Sequence, residues 1–225
     1  MAGSVLLSAI FPDVIFRVNT SEKNLYFTFD DGPAEVTPWV LEELKKFNAQ
    51  ATFFCVGANI EKNIPLYNAI INKKHAVGNH TMNHLNGWKT KTKNYLDDVE
   101  KCNSVLKSQQ PQTLPTKAQA MQQRQAGSNL KPQTFFRPPY GRITLPQYFA
   151  IRKNHRIVMW NVLSRDYDKN ISAEKCLQRV IQNSRSGSVI VFHDSAKAEK
   201  NLRYVLPKVL EYFSEKGFNF RSLAD

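Results

Sequence analysis

The sequence is poor in the features that mark stapled, membrane-embedded or nucleic-acid-reading proteins. It has 3 cysteines, Cys55, Cys102 and Cys176, widely spaced and odd in number, which excludes a disulfide framework. No apolar stretch approaches the roughly 20 residues needed to span a bilayer. The short apolar run from Met1 to Ile10 lacks a basic flank and a clear cleavage site, so it makes a poor signal peptide. We read the chain as soluble and leave its compartment unassigned. Acidic residues are scarce, 19 against 31 Lys and Arg, which gives a net charge of +12. The basic residues are nevertheless scattered, with only doublets such as Lys73-Lys74, and RNP-type, helix-turn-helix and zinc-finger spacings are missing. A solvated basic surface accounts for the charge better than a nucleic-acid site.

What is present reads as one α/β domain. The 225 residues, 42% hydrophobic and 22% charged, suffice for a full core. Apolar runs at Leu25–Phe29, Ala51–Val56, Thr134–Arg137, Ile157–Val162 and Ser188–Phe192 read as buried strands. Helical periodicity falls between them: Thr37, expected as an N-cap ahead of Pro38, opens a helix to about Phe47, and Ser172 caps another to about Asn183. Strands that are apolar throughout and alternate with helices argue for a parallel sheet covered by helices. About seven such units suggest an incomplete barrel. Residues 1–24 are expected as an N-terminal extension packing on the barrel, with Val14–Val18 a strand or plug beneath it, and 25–225 as the domain proper. Ser108 to Gln133, rich in Gln, Pro, Ala and Lys, is read as an insertion and a tolerated surface loop rather than a lid.

The polar residues queue at the ends of these strands. Asp30, His80, Arg137, Asp166 and His193 all lie at or just beyond a predicted C-terminal strand end, where α/β barrels carry their chemistry. Asp30 and Asp31 are adjacent carboxylates at the mouth of a buried strand, which makes sense if a cation neutralises one and the other serves as a base. His80-Thr-Met-Asn-His84 puts two histidines four apart, on one face of a helical turn. With Asp31 they form two imidazoles and one carboxylate with open positions, the set of a catalytic divalent metal: zinc, cobalt or nickel before magnesium. Arg137 is expected to pair with Asp30, and Asp166 to hold His193 charged as a proton donor. His75 and His155 are read as structural.

These residues resemble the polysaccharide deacetylases with the NodB-homology domain, carbohydrate esterase family four, over about Leu25 to Leu223. Thr28-Phe-Asp-Asp-Gly-Pro33, His80-Thr-Met-Asn-His84, Arg137-Pro-Pro-Tyr-Gly141, Ser164-Arg-Asp-Tyr167 and Val191-Phe-His193 match the five family motifs in order. The resemblance implies a distorted, incomplete (β/α)7-8 barrel and a metal-dependent N-deacetylase of N-acetylglucosamine-containing glycans, of peptidoglycan or chitin type. It implies Asp30 as base, His193 as acid, Arg137 orienting the base, Asp166 tuning the acid and the Tyr140 N–H at the oxyanion. Asp31, His80 and His84 would be the ligands of one divalent metal, zinc first. Tyr167, Val191 and Pro139 would contact substrate. Tyr167 stands where a tryptophan is usual, Val191 where a leucine is usual, and Leu163 replaces an acidic residue; these departures bear on substrate preference. An O-acetyl xylan-type esterase is the nearest alternative, and a non-catalytic carbohydrate-binding relative a further one. The chain is expected to act as a monomer on an N-acetylated polysaccharide, without nucleic-acid partners, and family members often act outside the cytoplasm.

Overall fold

β1 (Asn24–Asp30) is buried at every position and sits at the centre of the sheet. Its Tyr and Phe side chains suit a pleated backbone, and burial on both faces explains why its apolar run does not alternate with polar residues. The computed structural model describes residues 11–109 and 134–225. The expected insertion therefore lies, from 110 to 133, outside the described residues, as does 1–10 of the expected extension.

β1 pairs with β2 (Ala51–Cys55) on one side and with β7 (Val189–His193) on the other, all parallel. Beyond β2 come β3 (Ala76–Asn79), β4 (Thr134–Phe136) and β5 (His155–Ile157); beyond β7 comes β6 (Val162–Leu163). The order is β5-β4-β3-β2-β1-β7-β6, with β8 (Asn219–Phe220) pairing the start of β1. Every ladder is parallel, and among the described residues none joins β5 to β6, so the expected barrel is present and incomplete. Residues 14–18 cross the gap: Ile15 bridges to Val158 and Arg17 to Ser188.

The helices are α1 (Thr37–Lys46), α2 (Gly57–Lys62), α3 (Ile64–Asn72), α4 (Thr92–Ser108), α5 (Leu145–Ile151), α6 (Ala173–Asn183) and α7 (Glu199–Glu215). Between sheet and helices lies the main core, where Phe29 stacks on Phe53 at 5.0 Å and on Phe192 at 5.8 Å. Truncating one of these rings to Ala would cost about 3–5 kcal/mol. The two-residue period of β1 turns Phe27 and Phe29 to that layer and Thr28 and Asp30 to the barrel interior. All three cysteines are buried and free. No helix among the described residues is long and apolar enough to cross a membrane.

Two local expectations fail. The single strand predicted over Ile157–Val162 is broken into β5 and β6, because Met159 bonds to Ile15 and Trp160 turns into the cleft. Thr37 is not an N-cap but the first residue of α1; its hydroxyl accepts from the Ala34 N–H and donates to Asp194 at 2.6 Å.

Candidate active site

Parallel register does the first part of the assembly by setting Asp30 beside His193. Asp30 accepts from Arg137 Nη1 at 2.7 Å. The same nitrogen donates to Thr28 Oγ1 at 2.7 Å, while Nε and Nη2 donate to the carbonyls of Val158 and Met159. Arg137 is fully buried, with its guanidinium 4.1 Å from the Phe54 ring centre. Burial pulls the guanidinium down from its ordinary value and Asp30 opposes that. Removing either partner would strand a buried charge, at a cost of about 3–5 kcal/mol.

Asp31 leaves β1 in a left-handed turn with φ 78°. Its Oδ1 lies 3.1 Å from His84 Nε2 and 3.6 Å from His80 Nε2. His80 Nδ1 lies 2.8 Å from the Arg137 carbonyl, and a carbonyl only accepts, so Nδ1 carries the proton and Nε2 presents a lone pair toward Asp31. Burial pushes His80 down to about 4, which keeps it neutral near pH 7. Burial alone would raise the Asp31 carboxyl, but its hydrogen bond with His84 and the surrounding imidazoles hold it well below the usual carboxylate range. A neutral imidazole lone pair aimed at a carboxylate is repulsive unless a cation lies between them. The donor atoms of Asp31, His80 and His84 all fall within 4.8 Å of one another, so the trio fits a single ion.

The histidine pair is not held as expected. His80 to His84 is not a helical turn: Thr81 and His84 have positive φ, of 64° and 53°. Asp98 of α4 fixes the loop instead, accepting from the backbone N–H groups of Met82 and Asn83 at 2.9 Å each and from Asn83 Nδ2. Asn79 Oδ1 accepts from the Thr81 N–H at 2.7 Å.

Asp166 is buried and grips His193 twice, accepting from its backbone N–H at 2.8 Å and from Nδ1 at 2.7 Å. Burial opposes charge on His193, but Asp166 outweighs it and raises the imidazole to about 9. A protonated His193 therefore presents an Nε2–H. Asp194, the next residue, was not singled out by sequence. It is fully buried and accepts from the Gly32 N–H at 3.2 Å, anchoring the turn that carries Asp31. A Cβ on Gly32 would come within 2.1 Å of it, which is why the turn needs glycine. Burial, with Asp31 and Asp30 nearby, raises Asp194 to about 8.

The cleft has a volume of about 460 Å³ and is lined by Asp30, Asp31, His80, His84 and His193, with Tyr140, Tyr167 and Val191 on its walls. Arg137 and Asp166 stand behind the residues they hold. Pro139 is buried and absent from the lining, and its neighbour Pro138 takes that place. Arg142, Trp160 and Lys197 also line it and carried no motif signal; the Tyr140 ring lies tilted against His84, with centres 4.6 Å apart.

A family model described as polysaccharide deacetylase matches residues 17–155. A peptidoglycan-N-acetylglucosamine deacetylase of Bacillus cereus is 35% identical over 87% of this chain, which spans 65% of that protein's length. A chitooligosaccharide deacetylase of Azorhizobium caulinodans is 28% identical, covering 92% of this chain and 96% of its own. The crystal structure of a peptidoglycan N-acetylglucosamine deacetylase in complex with 4-naphthalen-1-yl-N-hydroxybenzamide superposes with a TM-score of 0.80 at 31% identity, covering 96% of this chain and 94% of that one. With the family model matching across β1 to β4 and the parallel half-barrel shared with that crystal structure, this chain belongs to the polysaccharide deacetylase family.

Proposed function

We propose that the chain is a metal-dependent hydrolase that removes acetyl groups from N-acetylglucosamine units of a peptidoglycan- or chitin-type glycan. The observation that carries this reading is that one cleft holds two braced side chains and one potential ion site. Asp30 is held by Arg137, His193 is held by Asp166, and the donors of Asp31, His80 and His84 line the same cleft. Two imidazoles and one carboxylate suit zinc first, then cobalt or nickel. Once bound, the ion supplies Lewis-acid polarisation of the acetyl carbonyl and of the attacking water.

The chain's own residues do the rest. Arg137 fixes the Asp30 carboxylate, which takes a proton as water adds to the carbonyl carbon. The Tyr140 N–H donates to the developing oxyanion. His193, protonated through Asp166, gives its Nε2 proton to the nitrogen as the C–N bond breaks, releasing acetate and an amine. Val191 and Tyr167 line the cleft and on this reading receive the acetyl methyl. On this reading residues 25–225 are the catalytic domain, with 1–24 as an extension, and the chain acts as a monomer. The peptidoglycan and chitooligosaccharide relatives favour an N-acetyl over an O-acetyl substrate.

Acetate release from N-acetylglucosamine oligomers, peptidoglycan strands and acetylated xylan tests the reading. Release is expected from the first two, and Asp30→Asn and His193→Ala should each lower kcat by about 10²–10⁴; Asp30→Asn also strands the Arg137 charge, so its melting temperature should fall and kcat is read on the folded fraction. Near-wild-type turnover in either variant would refute the roles, and a preference for xylan would refute the substrate.

A further inference from the structure

Residues 56–59, which lie outside the five motifs, touch both loops that carry the candidate ligands. They comprise Val56 and the first turn of α2, and they follow β2, the strand between β1 and β3. Toward the Asp31 loop, the Val56 N–H donates to the Gly32 carbonyl at 3.0 Å, and Asn59 Nδ2 donates to the Asp31 carbonyl at 2.7 Å. Toward the histidine loop, the Gly57 N–H donates to the Thr81 carbonyl at 3.0 Å and the Ala58 N–H to the Met82 carbonyl at 2.9 Å. That loop packs so closely that a Cβ on Gly57 would meet Met82 Sδ at 2.5 Å and Met82 Cα at 3.2 Å.

Both loops need such ties. Asp31, Thr81 and His84 hold left-handed backbone, with φ of 78°, 64° and 53°, a region that non-glycine residues leave unless their surroundings fix them. Three of the four ties are backbone bonds that any residue but proline can make. Asn59 is the exception: among the described residues its amide makes the only side-chain hydrogen bond to the Asp31 backbone. It acts on the peptide plane between Asp31 and Gly32, whose N–H goes to Asp194 at 3.2 Å. A plane held at both of its polar groups sets the direction in which the Asp31 carboxylate leaves the chain.

We propose that Asn59 is a positioning residue for the metal, a role that rests on the shared ion of the reading above. By tying the Asp31 carbonyl to the turn that also holds the histidine loop, it sets the separation of the carboxylate from the two imidazoles. Asp31 Oδ1 stands 3.1 Å from His84 Nε2 and 3.6 Å from His80 Nε2, and a site this tight loses affinity when a ligand drifts by about an ångström. Without the amide, the Asp31 carbonyl loses its donor and the carboxylate is freed from the frame to which the imidazoles stay attached. Asn59 is not part of the cleft lining, so its loss reads out in metal affinity rather than in contact with substrate.

The test measures the zinc Kd by equilibrium dialysis, and the visible absorption of the cobalt-loaded protein, for wild type, Asn59→Ala and Asn59→Leu. Circular dichroism checks that each is folded. Both variants should raise the zinc Kd about 10–100-fold and change the cobalt absorption, while the metal-free melting temperature moves by about 5 °C at most. A zinc Kd equal to that of the wild type would overturn the proposal and leave Asn59 a purely structural residue. Wild-type affinity in Asn59→Leu alone would also overturn it, because packing rather than the amide would then be responsible. A wild type that binds no zinc removes the shared ion and the role of Asn59 with it. Zinc binding that follows the expected pattern in a chain that releases no acetate would overturn the deacetylase reading and leave the role of Asn59 standing.

Discussion

His80 and His193 carry the same side chain and are pushed in opposite directions by their neighbours. His80 is enclosed, spends Nδ1 on a backbone carbonyl and is driven down to about 4, which leaves a lone pair for a metal. His193 gives Nδ1 to a buried carboxylate and is raised to about 9, which leaves a proton to donate. The sign follows directly: the donating form of His193 is populated below its raised pKa and is lost as pH rises through it. A divalent ion beside it pulls the same imidazole down, so the alkaline limb of kcat should fall at or below about 9. Asp166→Asn removes the larger raising influence and should move that limb to lower pH by about 1–2 units while leaving the acid limb in place. A pH–rate profile of the variant superimposable on the wild type would refute the coupling. The pairings of Asp30 with Arg137 and of Asp166 with His193 were legible because these residues stand at strand ends within short motifs. Asp194 was not, because its partners, the Gly32 N–H and the Thr37 hydroxyl, come from the far side of the sequence and only the β1–β7 register brings them together.

The loop from β3 to α4 illustrates what spacing alone misreads. Two histidines four apart fit a helical turn, but His80 and His84 converge through left-handed backbone at Thr81 and His84, held by Asp98 from the following helix. A side chain 16 residues downstream decides the geometry, so no local pattern could reveal it. Asp98→Ala would orphan three donors and free the loop. We expect it to cost about 1–3 kcal/mol of stability and to weaken metal binding about 10–100-fold, as outer partners of ligands commonly do. Equilibrium dialysis against zinc separates the two effects, since a variant that loses stability but keeps wild-type metal affinity would show that Asp98 only supports the fold. Loss of a distant cap, such as Ser172→Ala at α6, provides the matching control for stability alone.

At the scale of the whole molecule, the run of apolar strands and helices was enough to read a parallel, incomplete barrel, because burial on both faces writes itself directly into composition. How the open side is filled was less legible: residues 14–18 reach both Val158 and Ser188 through backbone bonds that any sequence could make. The three candidate ligands draw on this architecture as a unit, since Asp31 follows β1 and His80 and His84 follow β3, two strands away. An ion joining them therefore cross-links parts of the sheet and should stabilise the fold by RT ln(1 + [metal]/Kd), about 2.7 kcal/mol at a hundredfold excess over Kd. For a chain of this size that corresponds to a melting temperature raised by about 5–10 °C. Chelation should lower the melting temperature and stop acetate release together, zinc should restore both, and His84→Ala should abolish the metal-dependent shift while the chain still folds. A wild type that melts at one temperature with and without metal would mean that Asp31, His80 and His84 do not share an ion, and the catalytic reading would fall with them.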